Sequence, residues 1–200
     1  MPGGRIYYMI RKAGEAQFKL AMRKGIGGAE RVLVDPQVLA RATGVPHAIN
    51  HFAPSWDGRT LAYGISSGGS ENASLYLMDV TSGSALGRPI PRVIEAANWA
   101  PDSRHLAYNQ LRDLPKGTAE TETYLDTTVF LLDRAQPDTP ARPLFGPLVN
   151  KGLGLDRLDV AEVRFSPDSR WMIARTTDTT VPEGKLFVAP VAALRSDTIA

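Results

Sequence analysis

Three stretches of this chain superimpose on one another: Pro54-Ser55-Trp56-Asp57-Gly58-Arg59-Thr60-Leu61-Ala62-Tyr63, Trp99-Ala100-Pro101-Asp102-Ser103-Arg104-His105-Leu106-Ala107-Tyr108 and Phe165-Ser166-Pro167-Asp168-Ser169-Arg170-Trp171-Met172-Ile173-Ala174. In each, Ser or Ala and then Trp or Pro precede Asp-Gly or Asp-Ser, an Arg follows, and an apolar segment leads away. Proline presets φ, the Asp carboxylate can bond back to the backbone, and Gly or Ser relieves a tight corner, so each copy reads as a hairpin turn. The Arg reads as a solvent-facing charge at the start of a strand. A fainter copy is Gly3-Gly4-Arg5-Ile6-Tyr7-Tyr8, with Gly3 where the others carry Asp. Asp57 and Asp102 stand 45 positions apart, the length of a four-stranded propeller blade, roughly 40 to 50 residues. The neighbouring spacings, 54 from Gly3 to Asp57 and 66 from Asp102 to Asp168, require insertions.

Between the turns the chain reads as short strands: "TLAYGIS" then "SLYLMDV", "HLAYNQL" then "TTVFLLD", "WMIARTT" then "KLFVAPV". Each is bounded by turn residues and rich in apolar, β-branched or aromatic side chains. "DPQVLARA" is the exception, predicting two helical turns capped by Asp35 with Pro36 in the first helical position. Pro137, Pro140, Pro143 and Pro147 predict a loop excursion over 134–158. The expectation is an all-β chain: a partial β-propeller of three to four four-stranded blades spanning 1–200, with blade units 3–35, 48–93, 94–146 and 159–190. Four units, the first and last incomplete, stand at the low end of what closes a propeller. The ring is therefore expected not to close within the chain, leaving strand edges open to pairing.

The composition is that of a globular protein, 43% hydrophobic and 22% charged over 200 residues. Its net charge of +2 is made in the first fifty residues, which hold eight Lys or Arg against three acids. No basic run exceeds two residues, so "RKAGEAQFKLAMRK" reads as a solvated face, and no nucleic-acid partner is expected. The absence of cysteine excludes disulfides, thiolate metal sites and a cysteine nucleophile. No apolar run approaches the roughly 18 residues of a membrane span, and "MPGGRIYYMIRK" shows no signal-peptide pattern. No membrane partner is expected.

Gly64-Ile65-Ser66-Ser67-Gly68 matches the G-x-S-x-G pattern that holds the nucleophile of many hydrolases. That pattern acts only as a strand-to-helix elbow, and here a strand, a glycine-rich loop and a second strand are predicted, which leaves Ser66 at a hairpin end. The three histidines, His47, His51 and His105, read as structural or surface residues, because "HAINHF" is extended and does not place His47 and His51 on one helix face. Asp57, Asp102 and Asp168 repeat for reasons of turn geometry. Glu120 and Glu122 lie in a loop before a strand and do not form the carboxylate pair of glycoside hydrolysis. No catalytic, cofactor-binding or metal-binding residue is expected.

From about Tyr7 to Val188 the chain resembles the N-terminal propeller region of the prolyl oligopeptidase family of serine peptidases. The resemblance rests on "RVLVDPQVLA", "SWDGRTLAYGISSGGSENASLYLMDVTSG", "VIEAANWAPDSRHLAY" and "GTAETETYLDTTVFLLD" in that order. It implies a seven-bladed propeller capping an α/β-hydrolase domain whose Ser-Asp-His triad hydrolyses short peptides, many of them after proline. The triad segments and the helical segment that usually precedes the propeller are absent from this sequence. Partners implied are the peptidase domain of a longer parent and, through it, peptide substrates. An acidic residue in the family's "GGS" loop can face a basic residue of the hydrolase domain. The matching residue is Glu71, followed by Asn72 where relatives commonly carry an aromatic residue. The family occurs in the cytoplasm and, with signal peptides, in the periplasm. Two other readings stay open: a stand-alone binding module that completes its ring by oligomerisation, and a small hydrolase using Ser66.

Overall fold

The computed structural model describes residues 4–94, 97–178 and 180–195. The chain forms two compact units, Met1–Pro91 and Arg92–Ala200. The first holds the strands β1 (Arg5–Ile10), β2 (Lys19–Lys24) and β3 (Arg31–Val34), then helix α1 (Pro36–Thr43), then β4 (His47–Pro54), β5 (Thr60–Ser67) and β6 (Ala73–Asp79). β7 (Ile90–Val93) carries the boundary. The second unit holds β8 (Asn98–Trp99), β9 (His105–Gln110), β10 (Thr128–Asp133) and β11 (Arg142–Phe145), followed by β12 (Val160–Phe165), β13 (Trp171–Thr177) and β14 (Gly184–Pro190). Among the described residues, the strand pairs with a resolved register are antiparallel.

The turn chemistry accounts for the repeat. Gly58, Ser103 and Ser169 have φ of +67°, +56° and +63°, and Gly4 has +64°. This is the left-handed region, open to glycine and entered by a few other residues at a cost. The fourth copy thus aligns through Gly4 with Gly58; Gly3 lies outside the described residues. In the Asp57 turn, Ser55 Oγ donates to Asp57 Oδ1 (2.6 Å) and the Arg59 amide donates to the same oxygen (2.9 Å). The Thr60 amide completes the corner on Ser55 Oγ (3.0 Å). Ser166, Asp168, Arg170 and Trp171 reproduce these bonds. Where the second copy has Ala100 in place of the serine, Asp102 instead accepts from the Arg104 and His105 amides at 2.8 and 3.0 Å.

α1 forms as the sequence predicts. Asp35 Oδ1 accepts from the Gln37 amide (2.9 Å), Pro36 opens the helix, and Gly44 at φ +73° ends it, donating to Ala40 O. The core of the first unit comprises Leu20, Val34, Leu61, Ile65, Met78 and Val80, with Met9, Phe52 and Tyr63 packed against it. In the second, Val129, Leu131, Leu144 and Phe145 of β10–β11 pack against Ala161, Val163 and Met172 of β12–β13. Each fully buried leucine contributes on the order of 2 kcal/mol, which offsets the ordering entropy of sheets whose contacts are largely long-range.

One sequence expectation needs correction. The stretch 134–158 is not one loop, because β11 runs through it at Arg142–Phe145, with Pro143 opposite Phe130 beside a register shift at Val129/Phe130. Among the described residues β11 pairs only with β10, and an edge strand tolerates a residue without an amide hydrogen. The arginines after the turns, Arg59, Arg104 and Arg170, are exposed at the strand starts as the sequence implies, and two of them also pair with carboxylates. Arg104 grips Asp133 with Nε (2.8 Å) and Nη2, and Arg170 Nε bonds Asp168 (2.6 Å). Arg5 Nη1 donates to Gly58 O of the next copy's turn (2.8 Å). A second set of arginines does the same work from the outer strands. Arg31, at the start of β3, donates to Val80 O (2.7 Å) and Thr81 O (3.2 Å) just beyond β6. Arg142, at the start of β11, donates to Leu194 O (2.7 Å) beyond β14.

Candidate functional site

The glycine-rich loop between β5 and β6 is built by backbone geometry. Gly68 and Gly69 take φ of +62° and +80°, which turns the chain immediately after β5. The Gly68 amide donates to Pro46 O (3.0 Å) and the Ser70 amide to Ser67 O (3.1 Å). Ser70 Oγ then accepts from the Asn72 amide (3.0 Å). The tight turn leaves Glu71 exposed at its tip, free of the backbone bonds that fix its neighbours. This geometry presents a carboxylate to whatever faces this end of the sheet.

Ser66 is placed quite differently. It lies within β5, 5% exposed, opposite Ala48 of β4, and β5 passes through the loop into a strand, so Ser66 does not sit in a nucleophile elbow. His47 pairs with Ser67 and His51 with Gly64. Those partners are three apart on β5, which puts the two histidines on opposite faces of the sheet. His47 Nδ1 stands 2.8 Å from Val45 O. The His51 ring covers Gly64 so closely that a Cβ on Gly64 would lie 2.3 Å from its Cε1. Burial pushes the His51 pKa down from 6.5 to about 4, so the imidazole is neutral near pH 7, and its Nε2 is buried without a hydrogen-bond partner. The first glycine of the GISSG stretch therefore makes room for a histidine ring.

The other polar residues singled out in the sequence lie in turns and ion pairs. His105 Nδ1 lies 2.6 Å from Asp102 Oδ2 at an exposed turn. Burial works to raise the Asp102 pKa, but hydrogen bonds from His105 and Arg104 bring it below the ordinary value. The Ser166 hydroxyl and then Arg170 hold Asp168 at about 2, and Arg104 holds Asp133 at about 2. Glu120 and Glu122 begin and end one 3-10 turn. Glu120 is exposed, whereas Glu122 Oε2 accepts from Arg112 and Arg157 at 3.2 and 3.1 Å. Among the described residues no group of three His, Asp or Glu side chains is arranged to hold a metal ion. An apolar hollow of about 310 Å³ lies between Phe145, Leu153, Met172, Leu186, Phe187 and Val188, with no titratable side chain in its lining.

Sequence reasoning missed Arg31, Arg142 and the arginine pair around Glu122. The first two share a visible position at the start of an outer strand, "RVLV" and "RPLF", and that recurrence was the available signal.

A turn with a left-handed corner, repeated before the strands β1, β5, β9 and β13, together with antiparallel sheets that do not close on themselves, defines a partial β-propeller. The chain belongs to the family of the prolyl oligopeptidase N-terminal β-propeller domain, whose model matches residues 2–193. Its fold matches part of solved prolyl oligopeptidases. A prolyl endopeptidase studied for inter-domain dynamics matches with a TM-score of 0.79 at 20% identity, over 95% of this chain and 27% of that one. Prolyl oligopeptidase B from Galerina marginata, bound to a 35mer substrate, matches with 0.74 at 15% identity, over 94% and 28%. A post-proline cleaving enzyme from Rickettsia typhi matches with 0.62 at 13%, over 96% and 31%. The chain thus spans between about a quarter and a third of the length of these proteins. In such relatives the propeller accompanies a catalytic peptidase domain.

Proposed function

We propose that this chain is the non-catalytic, substrate-gating propeller portion of a prolyl-oligopeptidase-like serine peptidase. The observation that carries the reading is the family match over residues 2–193. In the parent, a histidine would take the proton of a serine hydroxyl, backbone amides would hold the oxyanion, and water would release the acyl-enzyme. Those groups belong to an α/β-hydrolase domain; this chain contributes a wall of strands that limits access to short peptides. Glu71 is the residue assigned to the contact with a basic side chain of that domain, supported by its exposed place at the tip of the Gly68-Gly69 turn.

The test is chemical. The 200-residue chain is expected to hydrolyse no proline-containing peptide and to take no label from a fluorophosphonate serine probe. Labelling at Ser66 that disappears in Ser66→Ala contradicts the reading and makes the chain a hydrolase in its own right.

A second reading, a binding module that completes its ring by association, draws on one specific feature. The face of the β12–β14 sheet turned away from its core carries Trp171 (42% exposed), Ile173 (37%), Leu186 (68%) and Val188 (63%). Contiguous apolar side chains of this kind mark an interaction surface. This reading requires a discrete dimer by light scattering, and a stable folded monomer counts against it.

A further inference from the structure

Two arginines in the second unit converge on one carboxylate oxygen. Arg112 Nη2 and Arg157 Nη2 stand 3.2 and 3.1 Å from Glu122 Oε2. Each guanidinium is held in place by other groups as well. Arg112 Nε donates to Leu125 O at 3.1 Å, and its Nη2 reaches Glu122 O at 3.4 Å. Arg157 donates through Nε and Nη2 to Asp126 Oδ2 at 3.0 and 2.9 Å. The Asp126 amide in turn donates to Arg157 O at 2.7 Å, a two-way lock on a buried residue whose φ is +56°.

The two carboxylates of the cluster therefore have different standing. Asp126 is buried and fixes Arg157. Glu122 is partly exposed and ends a 3-10 turn none of whose residues is buried. Remove Glu122 from the arginines and the guanidinium planes keep their anchors on Leu125 O and Asp126. What is left is a fork of N–H donors carrying one uncompensated positive charge, suited to the planar oxygens of a carboxylate or to a phosphate. Exposed ion pairs hold weakly, each shifting an equilibrium by only about two- to fivefold, so an external oxyanion can compete for the site.

We propose that Arg112 and Arg157 form an oxyanion-binding site whose built-in occupant is Glu122, open to exchange with a carboxylate or phosphate group of an incoming ligand. Exchange frees the far part of the loop, 114–121, while Asp113 keeps its ion pair with Arg92 (3.5 Å). The inference goes beyond the proposed cap function and stands independently of it.

The experiment titrates the 200-residue chain with inorganic phosphate and, in a separate arm, with acetate, at ionic strength held constant with chloride. Binding is followed by chemical shift and by amide hydrogen exchange of residues 113–123. Glu122→Ala, a change at a partly exposed loop position, is expected to tighten saturable binding of at least one anion about two- to fivefold. Adding Arg112→Gln is expected to abolish it. In the unsubstituted chain the same anion is expected to speed exchange in the loop. Phosphate binding without acetate binding assigns the site to phosphates, and the reverse assigns it to carboxylates. The proposal is overturned if neither anion binds saturably, if Glu122→Ala binds no more tightly than the parent, or if binding survives the loss of Arg112.

Discussion

Gly64→Ala isolates the claim that the GISSG stretch is a packing feature of a strand and owes nothing to a nucleophile. The new methyl would stand 2.3 Å from His51 Cε1, 2.6 Å from Nε2 and 2.9 Å from Nδ1, well inside van der Waals separation. The ring is largely buried, which limits its escape, and Gly64 itself lies within a strand paired on both sides. Overpacking of this kind destabilises by about 1–3 kcal/mol. For a chain of this size each kcal/mol lowers Tm by roughly 2–4 °C, so a fall of about 2–12 °C is expected, with a matching drop in the urea midpoint. Shrinking the ring should release the clash: in the background of His51→Ala, Gly64→Ala is expected to lose most of its effect, giving a coupling of at least about 1 kcal/mol in the double-mutant cycle. A Gly64→Ala chain within about 0.5 kcal/mol of the parent, or a cycle with no coupling, would refute the reasoning.

Three further outcomes follow from the same geometry. His51 has a folded pKa of about 4 against an ordinary 6.5, so the unfolded chain binds the extra proton first; stability should fall as pH drops from about 6.5 to about 4, by up to about 3 kcal/mol, and His51→Leu should flatten that part of the urea-midpoint profile. Arg142→Ala removes a charge-assisted bond to Leu194 O and should cost about 1–2 kcal/mol in equilibrium unfolding, with Arg142→Lys recovering part of it. Ser169→Gly places at φ +63° the residue the first turn already uses there; it should leave stability unchanged or raise it by up to about 1 kcal/mol, and a loss of more than that amount in the same assay would contradict the turn analysis.

The turns and strands were legible because their causes are local. Asp57, Asp102 and Asp168 bond to amides two or three residues on, and the Gly or Ser after each supplies the left-handed corner, so adjacent residues carry the whole signal. The extent of "WMIARTT" coincides with β13 for the same reason, and Asp35-Pro36 announced α1. What escaped the sequence depends on partners far along the chain. Pro143 reads as a loop residue until β10 is seen to pair with β11. Arg31 meets Val80 and Arg142 meets Leu194 some fifty positions away, and Arg157 reaches back to Asp126 across a strand pair. The loop tip around Glu71 was legible from Gly68 and Gly69, which require positive φ; that His51 needs the space above Gly64 was not, because nothing in "HAINHF" says which face its second histidine takes.

The central claim, that this chain is the propeller portion of a larger serine peptidase, is tested most directly by sequencing the transcript through and beyond the codon for Ala200. The account expects the reading frame to continue into further blades and then an α/β-hydrolase segment carrying serine, aspartate and histidine in that order. A transcript with no further blade and no hydrolase segment in any frame would contradict it.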